Sequence, residues 1–102
     1  MLYDRLGRDL GQARTALLAG RRDDADHLLQ HATDIITELL SSLDGTVWDG
    51  AGDLARIYAW MLSQLIGARI RGDGAVVASV HALVIDLGTA WHEASDSLEG
   101  AR

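Results

Sequence analysis

The 102-residue chain contains no cysteine, no proline and no phenylalanine, and each absence excludes something. Without Cys there are no disulfides, no thiolate chemistry and no Cys-based zinc or iron-sulfur site, so a reducing compartment costs the chain nothing. Without Pro the residue that most reliably interrupts helices is missing, and apolar periodicity can be read as helical along the chain. Lysine is lacking as well: nine Arg stand against fifteen Asp and Glu, for a formal net charge of -6. That balance repels phosphate and argues against a nucleic-acid partner. Long hydrophobic runs are also missing. Asp4 and Arg5 interrupt any leader core, and the longest uncharged apolar run, 74–85, is too short to cross a bilayer. No membrane insertion and a cytoplasmic location are therefore expected.

What is present is helical period. Hydrophobic residues make up 48% of the chain, enough for one core and one domain over 1–102. Leu2, Leu6, Leu10, Ala13 and Leu17 predict a first helix over about 2–19, closed by Gly20. Gly7 and Gly11 lie within it, either to let another backbone approach or simply tolerated at about 1 kcal/mol each. Asp23, Asp24 and Asp26 open a second helix over about 23–43, matching carboxylates to the positive end of its dipole. This helix carries two apolar stripes, Leu28, Ala32, Ile35 and Leu39 beside Leu29, Ile36, Leu40 and Leu43, a face that looks too wide for one neighbour.

The stretch Thr46 to Gly52 has no period and reads as the longest connection, with Trp48 as a lid over one end of the core. A third helix over about 53–71 places Leu54, Tyr58, Met61, Leu65 and Ala68 on one face, with Ile57, Ile66 and Ile70 near it. Gly72 ends it and Asp73 is placed to cap a fourth helix over about 73–97, where Val77, Val80, Val84, Leu87, Trp91, Ala94 and Leu98 alternate steps of 3 and 4. Four helices joined by two short turns and one longer loop predict an all-α, antiparallel up-down-up-down four-helix bundle.

Chemistry is sparse. His27 and His31, four apart, could ligate one metal with Asp24 or Asp34 a turn away, but no ligand on another helix is marked, and no metal or cofactor is assigned. Glu-x-x-His motifs of di-iron bundles are missing, and so are a nucleophile elbow and a phosphate loop. His81 is expected at a bundle edge with its polar edge hydrated. No enzyme is read here. Surplus apolar stripe on helices two and four, and in part on helix three, points to a partner's amphipathic helix or to self-association.

The order of residues adds to this. Met-Leu-Tyr-Asp at 1–4, Asp34-Ile-Ile-Thr-Glu-Leu-Leu-Ser-Ser-Leu-Asp44, Asp53-Leu-Ala-Arg-Ile-Tyr-Ala-Trp-Met-Leu62 and Trp91 together resemble the FliS family of flagellar secretion chaperones, in register over nearly the whole chain. The resemblance implies a cytoplasmic helical bundle that binds the disordered C-terminal segment of flagellin, prevents premature polymerisation and assists flagellar type III secretion. It also implies contacts with the export gate and other flagellar proteins. In the family a Tyr-containing segment precedes the Leu-Tyr-Asp motif and can cover part of the client surface. Here the chain starts at the motif, and Arg5 stands where many relatives have Gly.

The uncovered groove predicts a tendency to form a homodimer or exchange segments. By position, importance carries over to Tyr3, Tyr58 and Trp91, with core packing as the plain alternative, strongest for Trp91, and to Ile35, Leu39 and Leu43. The partner-binding groove is assigned to Tyr3, Leu6, Leu10, Ile36, Leu40, Leu43 and Tyr58. The competing reading is a self-associating structural or regulatory bundle without a flagellin client.

Overall fold

A computed structural model describes residues 2–43 and 51–100, with side chains from Tyr3 to Leu43 and from Gly52 to Ala90. Four helices carry these residues: α1 Leu2–Leu18, α2 Arg22–Ser41, α3 Ala51–Arg71 and α4 Gly74–Gly100. The bounds differ from the sequence expectation by three residues at most. Helix α2 stops at Ser41, where the Ser42 N–H donates to the Glu38 carbonyl at 3.0 Å and the Leu43 N–H to the Leu40 carbonyl at 3.1 Å. Helix α3 begins two residues before Asp53, which lies in its first turn. The Trp48 lid lies outside the described residues, as do the side chains of Trp91, Ala94 and Leu98.

Both short turns are glycine-closed. Gly20 (φ 76°) and Gly72 (φ 68°) adopt the left-handed conformation that side chains disfavour. Around Gly20 the N–H of Arg21 donates to the Ala16 carbonyl at 2.8 Å and that of Gly20 to Leu17 at 3.2 Å, a Schellman closure. At the second turn the Asp73 N–H donates to the Ala68 carbonyl at 3.0 Å. The Asp73 carboxylate then accepts from the N–H groups of Ala75 (3.1 Å) and Val76 (3.2 Å), the cap read from the sequence.

Turns this short force α1 against α2, and α3 against α4, to run antiparallel. Helices α1 and α4 are antiparallel as well, since Gly7 lies by Ile85, Gly11 by His81 and Leu17 by Gly74. The four therefore run up, down, up, down. Among the described residues each helix packs on two neighbours, in the ring α1, α2, α3, α4 and back to α1, with no close backbone approach across either diagonal.

The core fills the ring. Leu6, Leu10 and Ala13 of α1, Leu29, Ala32 and Ile36 of α2, Met61, Leu65 and Ala68 of α3, and Val77 and Val80 of α4 are wholly buried. On α2 the two stripes expected from the sequence turn out to be one broad face. Ala25, Leu29, Ala32 and Ile36 run down its centre, while Leu28, Leu39, Leu40 and Leu43 are partly buried on its flanks. The reason is geometric: α2 touches both α1 and α3, so a face two stripes wide is used inside the bundle. Surplus apolar surface lies elsewhere, on Leu18, Trp60, Ile66, Ile70 and Ile85.

Polar contacts tie the ring at its seams. Arg22 donates to the last carbonyls of α3, at Arg69 (3.2 Å) and Ile70 (3.3 Å), and Arg69 reaches back to Gln30 (2.6 Å) and Asp26 (3.6 Å) on α2. On the other seam of α2 the His31 Nδ1 bonds the Asp9 carboxylate, a buried acid on α1. His31, half of the pair considered for a metal, is thereby used in holding α1 to α2. Among the described residues no group of three or more metal-ligating side chains converges.

Candidate functional site

An apolar groove of about 570 Å³ runs along the outer seam of α1 and α4, lined by Tyr3, Gly7, Gly11, Val84, Ile85 and Gly88, with Asp4, Arg8, Gln12, His81 and Thr89 beside them. The helical period builds it. Gly7 and Gly11 are one turn apart on the side of α1 that meets α4, so α1 presents backbone there rather than side chains. Across the seam, Ile85 Cδ1 and the His81 ring each lie 3.5 Å from where a Cβ on those glycines would stand. The α1 glycines thus give room for α4 side chains to lie flat. Gly88 differs, because a Cβ there would point into open space with nothing within 4 Å. His81 is half-buried at this edge, as expected.

The groove itself is charge-balanced, with Asp4 and Arg8 as its charged lining residues. Helix α1 carries Arg5, Arg8 and Arg14 against Asp4 and Asp9, a small positive excess in a chain whose net charge is -6. Arg5, Arg8 and Arg14 are exposed and make no ion pair among the described residues. Arg5 does not line this groove and belongs with Arg8, Asp9, Gln12 and His31 to a neighbouring polar hollow. The sequence reading treated charge as a total and missed this excess, although counting charge helix by helix shows it.

Of the seven residues assigned to a groove, the structure brings only some to the surface. Leu6, Leu10 and Ile36 are 0% exposed and Tyr58 is 2% exposed, so these four belong to the core. The assignment overreached because each completes a face that two neighbouring helices cover. Tyr3, Leu40 and Leu43 are partly exposed at the edge of that core. Of these, Tyr3 lines the α1/α4 groove, and its hydroxyl hydrogen bonds that of Tyr58. Burial, followed by the hydrogen bond and the charge of Tyr3, pushes the Tyr58 phenol above its ordinary value. Ile35 is buried, and Leu39 is partly buried against the core.

A four-helix ring that keeps large apolar side chains and a glycine-floored groove on its outside, with no converging metal ligands among the described residues, has the features of a protein-binding helical bundle. The chain matches the flagellar protein FliS family over residues 1–98, and it belongs to that family of flagellar chaperones. No curated protein matches it. Among the described residues no helix is long and apolar enough to cross a membrane.

Proposed function

We propose that the protein is a cytoplasmic export chaperone that binds the disordered C-terminal segment of flagellin, keeps it from polymerising prematurely and assists its delivery to the flagellar type III secretion apparatus. Membership of the FliS family over nearly the whole chain carries the reading. Exposed Trp60, Ile66, Ile70 and Ile85 support it, because a bundle with no partner gains nothing from leaving such side chains in water. The mechanism is coupled folding and binding. An amphipathic client segment orders on the outside of the bundle, buries its own adhesive face, and gives back part of the gain as ordering entropy. Holding the client needs no bond-making step, so the function is binding rather than catalysis.

Calorimetric titration with a peptide from the C-terminal segment of the cognate flagellin tests this. Binding with a negative heat-capacity change and a gain in peptide helicity is the expected result. No heat at any temperature overturns it. The same four exposed side chains favour the competing reading, self-association without a client, which a stable oligomer lacking peptide affinity would establish.

A further inference from the structure

We propose that the polar hollow on the α1/α2 seam is a binding site for a carboxylate, which Arg5 and Arg8 hold and which the His31–Asp9 pair keeps open. The proposal stands apart from the client reading. The hollow, about 560 Å³, is lined by Arg5, Arg8, Asp9, Gln12 and His31, and neither Asp4 nor the α4 residues of the apolar groove line it. Positions 5, 8, 9 and 12 share one face of α1, so two guanidiniums stand a single turn apart with an amide one turn beyond. On other helices Arg21, Arg56 and Arg69 lie against Asp24, Asp53 and Asp26, and Arg22 donates to the last carbonyls of α3. Arg5 and Arg8 have no such partner among the described residues, although both are exposed on an acidic protein.

This isolation has a cause. Asp9 follows Arg5 by four residues, the spacing at which an acid and an arginine pair on a helix surface. Its carboxylate is instead bonded to His31 Nδ1 and its side chain is 13% exposed, so the acid is committed to the seam with α2 and withheld from Arg5. Two guanidiniums left one turn apart repel each other, and an anion between them relieves that repulsion while accepting charge-assisted hydrogen bonds from both. Two guanidiniums against one carboxylate leave a single positive charge in the hollow, which one further carboxylate neutralises. A phosphate group, with its higher charge, exceeds that balance and is repelled the more strongly by Asp9. The carboxylate belongs to a small organic acid or to an acidic side chain of a polypeptide, and the test separates these two sources.

NMR titrations of the isotope-labelled protein at fixed ionic strength test this, with propionate, with the blocked peptide acetyl-Ala-Glu-Ala-amide, and with inorganic phosphate. Saturable shifts of the Arg5, Arg8 and Gln12 side-chain N–H signals with a carboxylate, absent when the glutamate of the peptide is changed to glutamine, are the expected result. The tighter of the two carboxylates identifies the source, small acid or polypeptide. Arg5→Gln and Arg8→Gln lie at exposed positions, preserve the helix, and should each weaken binding about tenfold. His31→Ala leaves both guanidiniums in place, yet it releases Asp9 toward Arg5 and should weaken binding several-fold, and adding Asp9→Asn should restore it. Loss of seam packing alone is not reversed by that second change. Shifts that never saturate, affinity unchanged in both arginine variants, or phosphate binding more tightly than either carboxylate overturns the proposal. Unchanged binding in His31→Ala overturns the part assigned to the His31–Asp9 pair.

Discussion

The hydroxyls of Tyr3 and Tyr58 bond to each other across the diagonal of the bundle, joining α1 to α3, two helices whose backbones do not come close among the described residues. The two ends of this bridge are unequal. Tyr3 is partly exposed and Tyr58 is 2% exposed, so water can replace one partner far more readily than the other. Tyr3→Phe leaves the Tyr58 hydroxyl buried and unbonded and is expected to cost about 1–3 kcal/mol. Tyr58→Phe removes the buried polar atom itself and is expected to cost less. Urea unfolding of the two variants measures the asymmetry, and equal losses would contradict it.

The same pair gives the protein an alkaline limit. Tyr58 is raised above its ordinary pKa in the folded state, so its contribution is fully present below about pH 10 and is lost as pH rises beyond that, where the unfolded chain ionises first. Stability should fall there by up to about 1.4 kcal/mol per pH unit. With no Lys and no Cys in the chain, the two tyrosines are the only side chains ordinarily titrating between about pH 9 and 12. Tyr58→Phe should therefore remove most of the slope, as read by unfolding midpoints across that range.

Glycine at the two turns is not equally replaceable. Both Gly20 and Gly72 have positive φ, and Ala at either should cost about 1–2 kcal/mol. At Gly72 a Cβ would also fall 2.5 Å from Arg22 Nη1, displacing the guanidinium from the Arg69 and Ile70 carbonyls, whereas at Gly20 it meets nothing within 4 Å. Gly72→Ala is accordingly expected to be the more damaging, by roughly one further hydrogen bond's worth, about 1 kcal/mol. Thermal melts of the pair decide it.

Aspartate placed on α2 separates core from edge. Ile36→Asp puts a carboxylate where nothing is exposed and no partner waits, and the protein is expected not to fold. Leu40→Asp, one turn further on at a partly buried position, should destabilise by a few kcal/mol at most and leave a helical circular-dichroism spectrum. A folded Ile36→Asp protein would mean that α2 is not seated as described.

Removing His31 should tell how firmly the α1/α2 seam depends on its polar pair. The Asp9 side chain is 13% exposed against 42% for His31, so the pair is partly screened by solvent and its coupling is expected near 1 kcal/mol. A double-mutant cycle with Asp9→Ala and His31→Ala isolates that value.

Helix number, the two turns and the buried faces of α3 and α4 were legible because each rests on local chemistry. Leu54, Tyr58, Met61, Leu65 and Ala68 share one helical face whatever covers it, and Gly72 with Asp73 signals a stop and a start in adjacent positions. The use made of the double stripe on α2 was not legible. Period reports how wide an apolar face is and is silent on how many neighbours share it, so Ile36 was assigned to an edge when it lies in the interior. Gly88 escaped notice for a related reason. A glycine reads the same in sequence whether its missing side chain makes room for a neighbour, as at Gly7, or faces open space, as at Gly88.

The ring closes between the first helix and the last. Gly7 and Ile85 meet across nearly the whole length of the chain, while α1 with α2 and α3 with α4 are joined by turns of three and two residues. During synthesis, α1 therefore emerges long before the helix that covers its glycine side, and that seam has the greatest loop-closure entropy to overcome. Two fast local hairpins and one slow joining step are the expected order of folding. Substitutions along the α1/α4 seam should then speed unfolding while leaving the early folding phase nearly unchanged.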